Sequence, residues 1–294
     1  MKGLKKIALA TAVAAAPFAA HADLRAMDDS AMGNVTGQAG VTIELETKVS
    51  IGQFKYTDEG SFAVNDIVLG GAGVTADGAA AGYTDLLDQL KIDIDVADDG
   101  DAVIHVGTLD GNPIDWGMTV GSMELLAGGT GSDSTTLISN MSGYGNLAQL
   151  DLRVDTATDH LNIVAAFDVQ DMDFDVDFLG IGVRDMVITG AGANFDYDGD
   201  GSVMSEDGDG EFGLDPASQE AQVLAGFANV NLDVYKGAGL GASTATDVLR
   251  IDVNNVYMDM SIGAVEIGGT SIGSFAIDNL AVTDTKLAVY GHAD

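Results

Sequence analysis

The sequence contains no cysteine and only 3 prolines, and aromatic residues make up just 6% of it. Without cysteine the folded chain holds no disulfide, although an oxidising compartment outside the cytoplasm would permit one. Stability must therefore come from burial of apolar side chains, from backbone pairing or from bound metal. Hydrophobic residues make up 46% of the 294 positions, which is enough to bury a core and excludes general disorder.

Basic residues are also scarce. The chain has 12 Lys and Arg against 46 Asp and Glu, and its formal net charge at pH 7 is −34. Such a charge repels phosphate groups, so nucleic acid is excluded as a partner and binding to anionic lipid is disfavoured. The same charge attracts divalent cations, which we expect among the partners.

The start of the chain has the pattern of a Sec-type signal peptide. Its head is basic, residues 7–16 are apolar, and Ala20-His21-Ala22 gives the small-x-small pattern of a cleavage site. The apolar run is too short to span a bilayer, and no later stretch reaches the required length. We therefore expect cleavage before Asp23, a location at the cell surface, outside the cell or in the periplasm, and no membrane span after cleavage.

Beyond this start, apolar and polar residues alternate, which is the period of a half-buried β-strand. The alternation is clean over residues 91–96, 150–155 and 249–253, and residues 172–178 place apolar groups on one face and carboxylates on the other. The 39 glycines mark the turns between such segments. The sequence therefore predicts an all-β fold whose strands have one dry and one wet face.

A loose internal repeat indicates how the strands are arranged. The pattern apolar-small-β-branched-x-Asp/Asn-apolar-x-apolar occurs at residues 62–69, 181–188 and 275–282. We expect an elongated stack of repeated antiparallel β units, with a β-solenoid or a long sandwich as alternatives. The unpaired edges of such a stack would add to other copies of the chain or to other surface subunits.

Composition divides the chain into five parts. The predicted parts are a signal peptide (1–22), a short helix with a Gly-rich leader (23–40), repeated β units (41–189), a Gly/Asp-rich insertion (190–247) and a C-terminal β unit (248–294).

The insertion contains the one sharp chemical motif. Asp196, Asp198 and Asp200 take positions one, three and five of an EF-hand-type calcium loop, and a glycine follows at position six. Ser202 at position seven offers its backbone carbonyl, and Asp207 closes the loop at position twelve. The Asp closure is similar to that of dockerin-type loops. We expect these five residues to bind a structural Ca²⁺; an acidic solvated loop is the alternative.

No catalytic set is recognisable in the sequence. His105, His160 and His292 are scattered, and there is no cysteine nucleophile, nucleophile elbow or phosphate-binding loop. Paired carboxylates carry little information in so acidic a chain. We therefore expect that the protein is not an enzyme.

The N-terminal part of the mature chain resembles a known family. The matching elements are an acidic helix (residues 27–32), the run Val35-Thr36-Gly37-Gln38-Ala39-Gly40, an alternating strand (41–45) and the segment at 50–56. This order is similar to the mature N-terminus of pilus-subunit proteins of the Fil type in Gram-negative bacteria. The resemblance implies a surface or pilus component and offers no catalytic residues to transfer.

Two functions follow from these patterns. The first is an exported structural or adhesive protein of the cell surface, such as a subunit of a pilus-type or other surface filament. The alternative is a secreted calcium-dependent module that binds carbohydrate or a partner protein. A third function, a secreted hydrolase that uses carboxylates, is disfavoured because no set of catalytic residues is recognisable.

Overall fold

The computed structural model describes residues 40–73, 85–97, 99–128, 133–191 and 226–291. These residues form thirteen strands and one 3₁₀ turn, Asp177–Leu179. The strands are β1 (Val41–Thr47), β2 (Val49–Thr57), β3 (Ser61–Gly70), β4 (Leu87–Val96), β5 (Ala102–Thr108), β6 (Ile114–Leu126), β7 (Ser134–Asp155), β8 (His160–Phe167), β9 (Asp171–Val176), β10 (Ile181–Thr189), β11 (Ala228–Gly237), β12 (Val248–Ile267) and β13 (Thr270–Val289). The predicted signal peptide (1–22) and all but the last residue of the predicted leader (23–40) lie outside the described residues.

All described strands pair antiparallel in one sheet. The long strands β7 and β12 each pair along one edge with two shorter strands that lie end to end, β8 and β9 along β7, and β11 and β10 along β12. The consecutive strands β1 and β2 pair in the same way with β4 and β3. We call each long strand, and each end-to-end pair, a column.

The described sheet has eight columns, in the order β1/β2, β4/β3, β5/β6, β7, β8/β9, β11/β10, β12 and β13. Each column pairs with the column that follows it in the chain, so the sheet is an up-and-down meander. The predicted fold class, all-β with antiparallel strands, is confirmed. Strand β11 lies within the range 190–247, which the sequence analysis assigned to an insertion.

The two faces of the sheet differ in chemistry. Apolar residues pair across neighbouring strands, as Val64 does with Met123 and Met186 with Ile262. We call this side the apolar face. It includes Val49, Ile51, Phe54, Tyr56, Phe62, Val64, Ile67, Leu69, Met118, Val120, Met123, Leu125, Met141, Met172, Ile181, Val183, Met186, Ile188, Met258, Met260, Ile262, Val265, Phe275, Ile277, Leu280 and Val282. The opposite side carries mostly Asp, Glu, Asn, Ser and Thr, and we call it the polar face.

Kinks in the strands keep the apolar residues on one face along columns of this length. In β3 the apolar positions are 62 and 64, then 67 and 69, so strict alternation breaks between 65 and 66. Asp66 has φ 53°, and Asp185, Asn279 and Asn140 have φ of 54°, 57° and 51°. Asp and Asn are the non-glycine residues that enter this left-handed region most readily. Asp66, Asp185 and Asn279 occupy the fifth position of the three repeat copies, so the repeat motif marks a backbone kink.

Glycines on neighbouring strands make room for these kinks. A Cβ on Gly121 of β6 would lie 3.0 Å from Cβ of Asp66, and a Cβ on Gly263 of β12 would lie 2.8 Å from Cβ of Asp185. Both glycines therefore sit where the kinked residue of the adjacent column approaches closely, which is a recognised use of glycine inside strands.

Burial within this sheet is limited. The fully covered apolar residues of the described chain are scattered and mostly small, such as Ala63, Ala166 and Ala228, each 0% exposed. No large side chain of the described residues is fully buried. Most residues of the central columns are half-buried, because they contact only their neighbours within the sheet.

The kink at Asp66 gives a stability prediction. Asp66→Val places a β-branched residue in the left-handed region, and we expect a loss of about 1–3 kcal/mol in the free energy of unfolding. Asp66 is exposed, so the change removes no buried contact. Asp66→Asn keeps a residue that tolerates this backbone and should unfold like the wild type. Urea denaturation of the three proteins measures the difference, and equal stability of the Val and Asn variants would contradict the role of the kink.

Candidate functional site

The five predicted calcium ligands, Asp196, Asp198, Asp200, Ser202 and Asp207, lie outside the described residues. The loop therefore stays a prediction. The described residues that can carry chemistry are on the polar face, where acidic and amide side chains from neighbouring columns meet.

Much of the polar face is a network of side-chain hydrogen bonds across strands. Asn162 of β8 donates to Oδ1 of Asn231 of β11 at 2.9 Å and to Oδ1 of Asp233 at 3.0 Å. Asn254 of β12 donates to the same two residues from the other side, at 3.2 and 3.1 Å. Asn231 is only 3% exposed, so these bonds satisfy an amide oxygen that water cannot reach. The network joins three columns.

One carboxylate of the described chain is both buried and fully engaged. Asp101 is 3% exposed and accepts hydrogen bonds from Nε of Arg153 at 2.8 Å and from the backbone N–H of Thr156, also at 2.8 Å. The bond from Thr156 and the guanidinium of Arg153 lower the pKa of Asp101. Asp99, in the same turn, lies 3.2 Å from Arg153. These acids therefore anchor the β5–β7 end of the sheet.

A second group of carboxylates converges at the hairpin of β9 and β10. Asp171 and Asp173 of β9 and Asp185 of β10 place one oxygen each within 4.8 Å of one another. We call these three residues the acidic triad. The hairpin between β9 and β10 pairs Gly182 with Asp175, and the kink at Asp185 turns its backbone N–H to donate to Oδ1 of Asp173 at 2.8 Å.

The electrostatics of the triad differ from those of its neighbour Asp175. Burial, and then the charges of Asp173 and Asp185, raise the pKa of Asp171. A hydrogen bond from Asn140, and then the bond from Arg184, lower the pKa of Asp175. The guanidinium of Arg184 bonds Asp175 and lies 3.3 Å from Glu266, so it is engaged beside the triad rather than within it.

Converging carboxylates of this kind can do two things chemically. They can hold a proton more tightly than an isolated Asp, because each charge disfavours the next. They also present the oxygen ligands that hard cations such as Ca²⁺ prefer. Two of the three members are half-buried and the third, Asp185, is exposed.

The histidines of the described chain do not meet. His105 of β5 lies on the polar face with Nδ1 2.6 Å from Oδ1 of Asp151. His160 stacks on the ring of Tyr235, with ring centroids 3.9 Å apart. His292 lies outside the described residues.

Comparison with known proteins gives one match. A model of a family of unknown function, DUF6160, matches residues 1–98, which is one third of the chain and includes β1 to β4. No curated protein and no solved structure matches the chain.

This match corrects the expectation drawn from the N-terminal resemblance. The resemblance to Fil-type pilus subunits is wrong, because the family found over the same part of the chain is DUF6160 and no pilus-subunit family is matched. The physical reason lies in the residues that carried the resemblance. A short Gly-rich run followed by an alternating strand is a common pattern in β proteins, so it does not specify one family.

Among the described residues, no helix has the length and apolar character needed to cross a membrane.

Sequence reasoning did not identify the triad. The alternation over residues 172–178 placed Asp173 with Asp175 on one face, but it did not bring in Asp171 or Asp185. The signal that could have found them is the hairpin itself. If the turn is placed at 177–180, antiparallel pairing brings Asp185 of the repeat motif beside Asp173.

Two substitutions on β9 should affect stability in opposite directions. The pKa of Asp171 is raised in the folded state. The protonated carboxyl therefore stabilises the fold at pH values below the ordinary pKa of 3.8, and this stabilisation is lost as pH rises through the folded-state pKa. Asp171→Asn should therefore stabilise the chain at pH 7, and the gain should vanish in acid. The folded-state pKa of Asp175 is lowered, so Asp175→Asn should destabilise at pH 7, and its cost should shrink as pH falls below 3.8.

Urea unfolding between pH 7 and pH 3, with EDTA present, measures both effects. If Asp171→Asn is less stable than the wild type at pH 7, the ionised Asp171 makes favourable contacts in the triad, and the prediction is wrong.

Proposed function

We propose that the chain is an exported structural protein of the cell surface, which assembles with further copies or with other surface subunits through the edges of its sheet. The observation that carries the proposal is the open sheet: within the described part of the chain, β1, β2 and β13 are each paired on one side only. The signal-peptide pattern supports export.

Both outer columns are long and accessible. β13 has 20 residues, and β1 and β2 together run from Val41 to Thr57 with one residue between them. Ile272 of β13 is 64% exposed and Tyr56 of β2 is 61% exposed. Unpaired N–H and C=O groups along an exposed strand are a template on which another strand can add.

The two edges lead to an open assembly if they join each other. The β1/β2 edge and the β13 edge are different surfaces, so a contact between them is heterologous and repeats from copy to copy. If the rotation between copies does not close a ring, the product is a filament. Backbone hydrogen bonds would supply the contact, so this assembly needs no cysteine and no catalytic group.

Localisation tests the export and surface parts of the proposal. Immunogold electron microscopy on intact cells, with an antibody to the mature chain, should place gold on the outer surface or along filaments. A deletion strain gives the background. Labelling that requires permeabilisation would place the protein inside the envelope and overturn the surface assignment.

A pair of proline variants tests the edge. Neighbouring residues of β13 point their N–H groups alternately toward β12 and away from it, and proline removes that group. Ala281→Pro and Val282→Pro therefore differ in effect. The variant that replaces the residue with the outward N–H should fold normally and lose assembly. The other variant breaks the pairing with β12 and loses stability. Circular dichroism identifies the folded variant, and electron microscopy with sedimentation measures its assembly. Normal assembly by that folded variant would count against the β13 edge.

A second candidate is a secreted calcium-dependent module that binds carbohydrate or a protein partner. The Asp and Gly spacing of residues 196–207 favours it, because alternate carboxylates on a tight turn supply the oxygens that Ca²⁺ needs. A bound ion stabilises only the folded chain, so calcium bound by residues 196–207 would stabilise the fold.

Thermal unfolding with and without calcium tests this candidate. Ca²⁺ at 100 times its dissociation constant should stabilise the folded chain by about 2.7 kcal/mol. The paired substitution Asp198→Asn and Asp200→Asn should abolish the shift. The matched control, Asp173→Asn with Asp185→Asn, removes two carboxylates of the acidic triad and should keep it. A shift lost in the control alone would move the cation from the loop to the sheet, and no shift in the wild type would end the calcium proposal.

A further inference from the structure

Within the part of the chain that the structure describes, all strands belong to one sheet, and the apolar face is one surface of that sheet. Among the described residues, the extensive contacts between strands are those between neighbouring columns of the sheet. Leu69, Leu125 and Phe275 on this face are 38%, 48% and 48% exposed. A β-sheet with one apolar side is stable in water only when another layer covers that side.

The residue types on this face suit contact with a protein surface. Every methionine in the described part of the chain lies on it: Met118, Met123, Met141, Met172, Met186, Met258 and Met260. Methionine is flexible and polarizable, adapts to a partner's shape, and is enriched in protein interfaces. The aliphatic partners that surround these methionines continue the same surface across the central columns.

Charge indicates which surfaces of two copies can meet. At a net charge of −34 two copies repel each other, and the repulsion is strongest where polar faces approach. Contact through the apolar faces turns both polar faces outward and separates their carboxylates by the thickness of two sheets, about 10 Å between the layers. Two copies therefore meet more favourably through their apolar faces than through their polar faces.

We propose that a second copy of this chain packs its apolar face on that of the first, forming a two-layer β-sandwich from two chains. The contact is separate from the sheet edges and does not depend on where the protein is located.

The available area is sufficient. Columns of about 20 residues at 3.4 Å per residue, and eight columns spaced about 4.8 Å apart, give a face of roughly 2,600 Å². A standard protein interface buries about 800 Å² on each partner. Because aligned sheets pack at about −30°, the overlap is partial, and less than half of the face already reaches that area.

Neighbouring residues of β12 give a matched test. Ile262 lies on the apolar face between Met186 and Phe275, whereas Ser261 is exposed on the polar face. In analytical ultracentrifugation of the full exported chain, the wild type and Ser261→Lys should sediment as dimers at micromolar concentration. Ile262→Lys should weaken dimerisation at least about tenfold, because its charge would be buried between two apolar layers.

Cysteine cross-linking covers the case in which Ile262→Lys does not fold. The chain has no cysteine, so Met141→Cys on the apolar face and Ser261→Cys on the polar face report without background. A short bifunctional thiol reagent should join two Met141→Cys chains and leave Ser261→Cys monomeric. A folded wild type that stays monomeric at about 100 μM, well above a micromolar dissociation constant, would overturn the proposal. So would cross-linking through Ser261→Cys alone, or a monomer that binds zwitterionic vesicles through its apolar face.

Discussion

Backbone pairing between adjacent columns is the interaction on which this protein depends. Because the described part of the chain buries few large side chains, the ladders of the meander and the side-chain contacts along them hold it together. In strands of 20 residues the apolar side chains must stay on one face over the whole length, although successive side chains point to opposite faces. Asp66, Asp185 and Asn279 meet this requirement by shifting the alternation at a left-handed backbone position, and Gly121 and Gly263 make room for two of these shifts.

The same geometry determines how the negative charge is carried. With most of the apolar residues on one side, the acids of each strand share the other, where neighbouring columns bring them close together. Amide side chains and the few cations bind several of them. Asn162 and Asn254 bridge Asp233, Arg153 holds Asp101, and Arg184 holds Asp175. In the acidic triad, burial and then the charges of Asp173 and Asp185 raise the pKa of Asp171, so this carboxyl resists ionisation.

Alternation was enough to predict the fold class, because a period of two over residues 91–96 and 150–155 has no helical interpretation. It was not enough to predict the sheet. Asp66 and Asp185 were recognised as members of the repeat motif, but the Asp or Asn at its fifth position was not interpreted as a kink, and the structure shows the left-handed backbone there. Strand β11 escaped notice because Asn229, Asn231 and Asp233 are typical of loops; here amide pairing across columns overrides that preference. The triad needs the hairpin register, which local patterns do not provide.

The proposed contacts use different surfaces and are compatible. Packing two apolar faces together leaves the β1/β2 and β13 edges of both chains accessible, so a two-layer unit could still grow by strand addition. In such an assembly every layer would be covered on its apolar side, and every carboxylate-rich face would remain in water. Growth by edges alone would extend an uncovered apolar face with each added copy, and that face would grow more prone to nonspecific aggregation. In the proposed filament, the face contact would therefore complement the edge contact.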